Sequence, residues 1–246
     1  MAGWHRGLTK KVSPATANRA LALLRVIFCA CLPERPNPCA KVKQFKERAR
    51  DRFLQPSELH RLFEAIQNDG SDTIRDYIML SLFTGARRAN ILSMRWCDID
   101  FDLNLWTIPA EQSKNAESIT IPLVEESTEI LKRRREKSDS MFVFPGKGKT
   151  GHFQNPRKGW VRICKVANLE GVRLHDLRRT MGSYQTMTGA TSTIVGKTLG
   201  HKSQAATAVY ARLNTDPVRA SMEKAVKAMR VAAEQTAGRV VWFQDR

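Results

Sequence analysis

At 246 residues with 42% apolar side chains, the chain can build one large domain, or one large and one small, around a buried core, which excludes global disorder. Its 41 Lys and Arg against 24 Asp and Glu give a formal charge of +17 and favour a polyanionic partner, although charge alone does not separate a ribosomal or histone-like binder from an enzyme. The five cysteines (Cys29, Cys31, Cys39, Cys97, Cys164) show no paired spacing, which excludes a disulfide framework or zinc cluster and predicts buried thiols in a reducing compartment.

In chain order, residues 1–12 read as a basic, unpatterned lead-in without the apolar stretch of a secretion signal. Ser13-Pro14 reads as an N-cap with proline at the first helical position, opening a helix through Leu21, Leu24 and Ile27 that stops before Pro33. No stretch approaches the ~20 apolar residues of a membrane span, so a cytoplasmic protein is expected. A proline-rich break and the charged run Lys41–Arg52 form a linker, which puts a domain boundary near residue 50.

Beyond it, Pro56 opens a helix, and a second, apolar helix over Ile74–Phe83 ends at Thr84-Gly85, with a new one from about Arg87. Ile99/Phe101, Leu105/Thr107 and Ile119/Ile121 are read as inward positions alternating with polar neighbours, which predicts a three-stranded antiparallel meander turning near Asn104 and Lys114-Asn115. Helical patterns follow over Val124–Glu136, Asn155–Asn168, Leu174–Thr188, Thr191–Leu199 and Asp216–Ala232. The expected fold is mostly α with one small three-stranded antiparallel sheet.

Four short segments carry chemistry. In His175-Asp-Leu-Arg178 the His and Arg share a helical face, a pairing suited to a phosphodiester oxygen. Thr84-Gly-Ala-Arg87 places Arg87 in the first turn of a helix that follows a glycine, where anions are favoured. Lys114 sits at a hairpin tip, and Leu199-Gly-His201 precedes Tyr210. Each has a bland alternative: a surface helix, a solvated turn, a cap, a core tyrosine. Their joint occurrence, in this order, in a chain of charge +17, is the stronger signal.

That order resembles the catalytic domain of tyrosine recombinases of the phage integrase type, over roughly residues 54–213. The resemblance implies a tyrosine recombinase catalytic fold over residues 51–215 and, in 1–50, the last helix and linker of a core-binding DNA-clamp domain whose earlier helices are missing, as in a fragment or shortened member. Residues 216–246 would form a C-terminal helix and tail, with Val240–Phe243 able to dock on a neighbouring protomer. It further implies Arg87, His175, Arg178 and His201 gripping the phosphate, Tyr210 as nucleophile and Lys114 as general acid, with no cofactor, metal or ATP. The partners implied are double-stranded DNA, three further copies of the chain in a tetramer, and an accessory DNA-bending protein. A type IB topoisomerase and an inactive DNA-binding relic are the competing readings. One departure stands out: the family usually carries Glu three residues after the Arg of Thr-Gly-x-Arg, where this chain has Asn90.

Overall fold

A computed structural model describes residues 1–47, 50–113 and 116–200, and the chain divides into two compact units, Met1–Arg50 and a second beginning at Asp51. In the first unit the Ser13 side chain accepts from the amide of Thr16, and Pro14 opens α2 (Pro14–Cys31). The segment that follows folds back along α2. Arg25 donates to the carbonyls of Cys39 (3.0 Å) and Val42 (2.6 Å), and Asn18 exchanges hydrogen bonds with the backbone of Phe45. Before α2 lies α1 (Ala2–Leu8), which the sequence reading left unpatterned. Seven residues containing Gly3 and Gly7 carry no apolar period, and the contact that anchors α1 is tertiary: His5 is buried and stacks on Phe45 at 4.4 Å.

Two further expectations are corrected here. By length and composition α2 is apolar enough to cross a bilayer, although Arg19 and Arg25 lie within it. And Cys29, Cys31 and Cys97 are exposed, Cys164 is half-buried and only Cys39 is fully buried. An apolar neighbourhood in sequence does not guarantee cover in space: Leu23, Val26 and Ile27 on α2 are exposed too.

The second unit is mostly helical with one small antiparallel sheet. Its helices are α3 (Pro56–Gln67), α4 (Asp72–Thr84), the short α5 (Arg88–Leu92), α6 (Glu125–Arg135), α7 (Arg157–Val166), α8 (Leu174–Met187) and α9 (Ser192–Leu199). Strands β1 (Ile99–Asp100), β2 (Leu105–Ile108) and β3 (Ile119–Pro122) pair in that order, with Trp106 opposite Ile121 and Thr107 opposite Thr120. β1 is shorter than expected because the Asp100 carboxylate accepts from the amides of Asp102 and Leu103, turning the chain before Phe101 can pair. The inward phase of β2 is Trp106/Ile108, not Leu105/Thr107. The residues expected to form the helix Asp216–Ala232 lie outside the described ones.

Helix α4 is central and packs against α5, α6, α7 and α8. It is apolar on most sides, as a core helix must be, yet it carries Asp76 at 2% exposure. That carboxylate is met by Arg133 (2.6 Å) and Arg134 (3.1 Å) from α6. Arg134 also donates to the carbonyl of Val143 and lies over the Phe144 ring at 4.5 Å, so one side chain joins α6, α4 and the following loop. A buried ion pair is expensive to form, and breaking one side of it leaves a charge without compensation. Arg133 still meets Asp76 when Arg134 is removed, so Arg134→Ala should lower unfolding stability by about 2 kcal/mol in urea titration, through the lost second cation and the unpaired Val143 carbonyl; a loss below about 0.5 kcal/mol would show that Arg133 alone satisfies Asp76.

Candidate functional site

The site is built where three helix ends meet. Helix α4 terminates at Gly85, whose φ of +60° is the left-handed conformation that caps a helix and that other residues adopt at a cost. A β-carbon at Gly85 would also stand 2.9 Å from a methyl of Leu199 and 3.0 Å from Met181, so glycine lets the end of α4 lie directly on α8 and α9. Helix α9 begins at Thr191, whose hydroxyl accepts from Ile194, and ends at Gly200 with φ +58°. There a β-carbon would fall 2.6 Å from Ile119 on β3.

Helix α8 starts at Leu174. Asp176, fully buried, accepts from the backbone amide of Arg173 at 2.8 Å and pairs with Arg179 at 3.0 Å, which fixes the first turn. That turn presents His175 and Arg178. Arg178 is 5% exposed, and its guanidinium donates to the carbonyls of Gly85 (2.7 Å) and Leu199. Arg87 is the N-cap residue of α5 rather than part of its first turn, with extended backbone, and donates to the carbonyl of Gly200 at 3.1 Å. Both arginines are thus seated on carbonyls at helix C-termini, the partially negative ends of α4 and α9. Arg88 is exposed.

His175 is open to solvent on one side. Loss of hydration on the other depresses its pKa below the usual 6.5, and Arg179, Arg178 and Arg87 press it further down against the opposing charge of Asp176. Both effects favour the neutral imidazole. Three of the six expected site residues, Arg87, His175 and Arg178, come together here, while Lys114, His201 and Tyr210 lie outside the described residues.

Both described tyrosines are harder to ionise than a free phenol. Tyr77 is buried edge-on against Phe144, and burial pushes its pKa up to about 12. Burial also raises Tyr184, whose hydroxyl finds no partner among the described residues, with the charge of Glu58 adding to the effect.

Sequence reasoning missed one contributor. Thr180 accepts from the amide of Leu54 at 3.0 Å while donating to the carbonyl of Asp176, tying α8 to the chain entering this unit. Asn90, the departure noted above, is 3% exposed, and its side-chain amide nitrogen has no partner among the described residues. Thr180, by contrast, left no trace in the sequence. Among the described residues no three His, Cys, Asp or Glu side chains cluster as metal ligands would.

The phage integrase family model matches residues 52–216, two thirds of the chain. The chain belongs to the phage integrase family. Among its relatives are the prophage integrase IntF of Escherichia coli K12, 31% identical over 180 residues that cover 71% of this chain and 38% of the relative. The tyrosine recombinase XerA of Pyrococcus furiosus is 26% identical, covering 70% and 61%. The chain thus spans between roughly two fifths and three fifths of the length of these relatives. The fold matches that of the Tn1549 transposon integrase in complex with a circular intermediate DNA, with a TM-score of 0.77 and 18% identity, over 91% of this chain and 83% of that one. A lambda integrase tetramer bound to a Holliday junction also matches, with a TM-score of 0.65 and 20% identity, over 82% and 63%. These relatives are integrases and recombinases, so the topoisomerase reading is not favoured.

The depressed pKa of His175 has a measurable signature. The His175 ring should titrate below pH 6.5 by NMR, and Arg179→Ala should raise the midpoint, because it removes a cation and uncovers Asp176. A midpoint at or above 6.5 would show that the guanidiniums do not act on the ring.

Proposed function

We propose that the chain is a site-specific DNA recombinase that cuts and rejoins strands through a covalent 3′-phosphotyrosine, without metal, cofactor or ATP. The observation that carries this reading is the pair of arginines, Arg87 and Arg178, seated on backbone carbonyls beside an imidazole held toward its neutral form. A phosphodiester resists attack because its charge repels the nucleophile and its alkoxide leaves poorly. Fixed guanidiniums counter the first difficulty, since charge placed before the reaction costs no reorganisation during it. A formal charge of +17 supplies the sequence-independent affinity for the backbone of a duplex.

In the proposed step the Tyr210 oxygen bonds to phosphorus as the bond from phosphorus to the 5′ oxygen breaks. The phenolic proton passes to the neutral form of His175, and Lys114 donates one to the departing 5′ oxygen. Arg87, Arg178, His201 and the His175 imidazolium so formed hold the non-bridging oxygens. The phosphotyrosine conserves the bond energy, and attack by a new 5′ hydroxyl reverses each transfer and reseals the strand. By extension from lambda integrase, four copies would act on two duplexes in the cytoplasm, with an accessory DNA-bending protein where the geometry requires one. Residues 1–50 would clamp the DNA, residues 51–215 would carry the chemistry, and residues 216–246 would dock on a neighbouring protomer.

On a nicked suicide substrate the wild-type chain should trap a covalent DNA adduct that survives EDTA. Tyr210→Phe should form none, and Tyr184→Phe should still form it. An adduct retained by Tyr210→Phe and lost in Tyr184→Phe would overturn the assignment of the nucleophile, and activity that returns only with added Mg²⁺ would overturn the mechanism.

A further inference from the structure

From Ser140 to Leu169 the chain carries six Lys and Arg and no Asp or Glu. One of the six, Arg162, is held by Asp69 at 2.7 Å. Lys147, Lys149, Arg157 and Lys158 are exposed, and none meets a carboxylate among the described residues, unlike Arg95 and Arg179. Cations without an acid between them repel one another, and a polyanion relieves that repulsion.

The first two of these cations stand on a small hairpin that leaves the core after Val143 and Phe144, both fully buried. Pro145 bridges His152, the amide of Phe153 donates to the carbonyl of Phe144 at 2.8 Å, and the amide of Gly146 donates to the carbonyl of Gly151 at 3.0 Å. A β-carbon at Gly146 would stand 2.3 Å from the His152 carbonyl oxygen, so the two arms pair more closely than any other residue allows. Gln154 secures the returning arm by donating to the Thr150 hydroxyl at 2.8 Å. The tip, Lys147-Gly-Lys149, is thus carried on a built support.

Gly148 has no comparable reason to be glycine. Its φ is not left-handed, and a β-carbon there would meet nothing within 4 Å. The fold would accept a side chain, yet the space between the two lysines is left empty. The amides of Lys147, Gly148 and Lys149 donate to no acceptor among the described residues. A bare stretch of backbone, with outward N–H groups between two ammonium groups, suits close approach to phosphate oxygens.

We propose that the Lys147-Gly-Lys149 tip rests on the sugar–phosphate backbone of the bound duplex, on phosphates other than the one that is cut, with Arg157 and Lys158 making further phosphate contacts. The inference rests on the reading of the chain as an enzyme that acts on duplex DNA. A duplex carries about one negative charge per 1.7 Å of its axis, so a tip that touches it brings several phosphates within reach of two lysines.

The test measures duplex binding by the full chain, by fluorescence anisotropy, between about 50 and 200 mM salt. Lys147→Gln combined with Lys149→Gln should lower the slope of log affinity against log salt by about 2 and weaken binding by roughly 10-fold or more. Lys147→Arg combined with Lys149→Arg should keep the wild-type slope. Lys132→Gln combined with Lys137→Gln removes the same charge from exposed positions at the end of α6, and should change the slope by less than about 1. Gly148→Gln should leave the melting temperature unchanged, because the space is open, and weaken binding by roughly 10-fold, the worth of one hydrogen bond to a charged group. Equal losses from the two lysine pairs would show net charge alone at work. Undiminished binding by Gly148→Gln would show that the tip does not lie against the backbone, and a lowered melting temperature would give that glycine a role in folding. Any of these results overturns the inference and leaves the DNA reading intact. A wild-type chain that binds no duplex, or binds it without dependence on salt, would overturn both.

Discussion

The interaction on which this structure turns is the Arg178 guanidinium set between the ends of α4 and α9. Two helix C-termini bring unsatisfied carbonyls and partial negative charge into one place, which would drive them apart without a cation between them. A planar fork with donors fixed in direction can meet two carbonyls at once, whereas an ammonium would have to choose or compromise. The same contact holds α8, from which Arg178 projects, in register with both neighbours. Gly85 and Gly200 complete the arrangement, since their left-handed backbone turns the last carbonyls of α4 and α9 toward the arginines.

Electrostatics explain why so many cations tolerate one another here. The carbonyls offset part of the charge of Arg87 and Arg178, and Asp176 offsets Arg179. Burial and the remaining positive potential both favour the neutral form of His175. An incoming phosphate would relieve that potential, so the pocket is poised for an anion before one arrives. Fold and chemistry draw on the same side chains, and substitution of Arg178 therefore disturbs packing and charge together.

Much of this was legible in the chain itself, for identifiable reasons. Ser13, Thr191, Gly85 and Gly200 mark helix ends by local chemistry that acts within a few residues, and the helices α6 to α9 lie where the apolar period put them. The grouping of Arg87, His175 and Arg178 followed from the order of motifs. What failed depends on contacts between residues distant in sequence. Segment Leu105–Ile108 offers a large apolar side chain in either phase, and only the core decides that Trp106 and Ile108 turn inward. Helix α1 rests on Phe45, and Asp76 on α6, neither of which a local pattern announces. Arg87 falls one position outside α5, a difference that changes the direction of its side chain without changing the motif.

The hydrogen bond between Leu54 and Thr180 has a mechanical meaning. The chain enters the second unit at Asp51, and within four residues its backbone is fastened to α8, only two residues from Arg178. Thr180 in turn leans on the carbonyl of Asp176, the residue that caps the same helix. A pull on the entering segment is therefore shared between α3, whose Glu58 holds Arg52 at 2.8 Å, and α8, whose Thr180 holds Leu54. The polypeptide works here as a tether made fast at two points, one of them on the helix that carries His175 and Arg178.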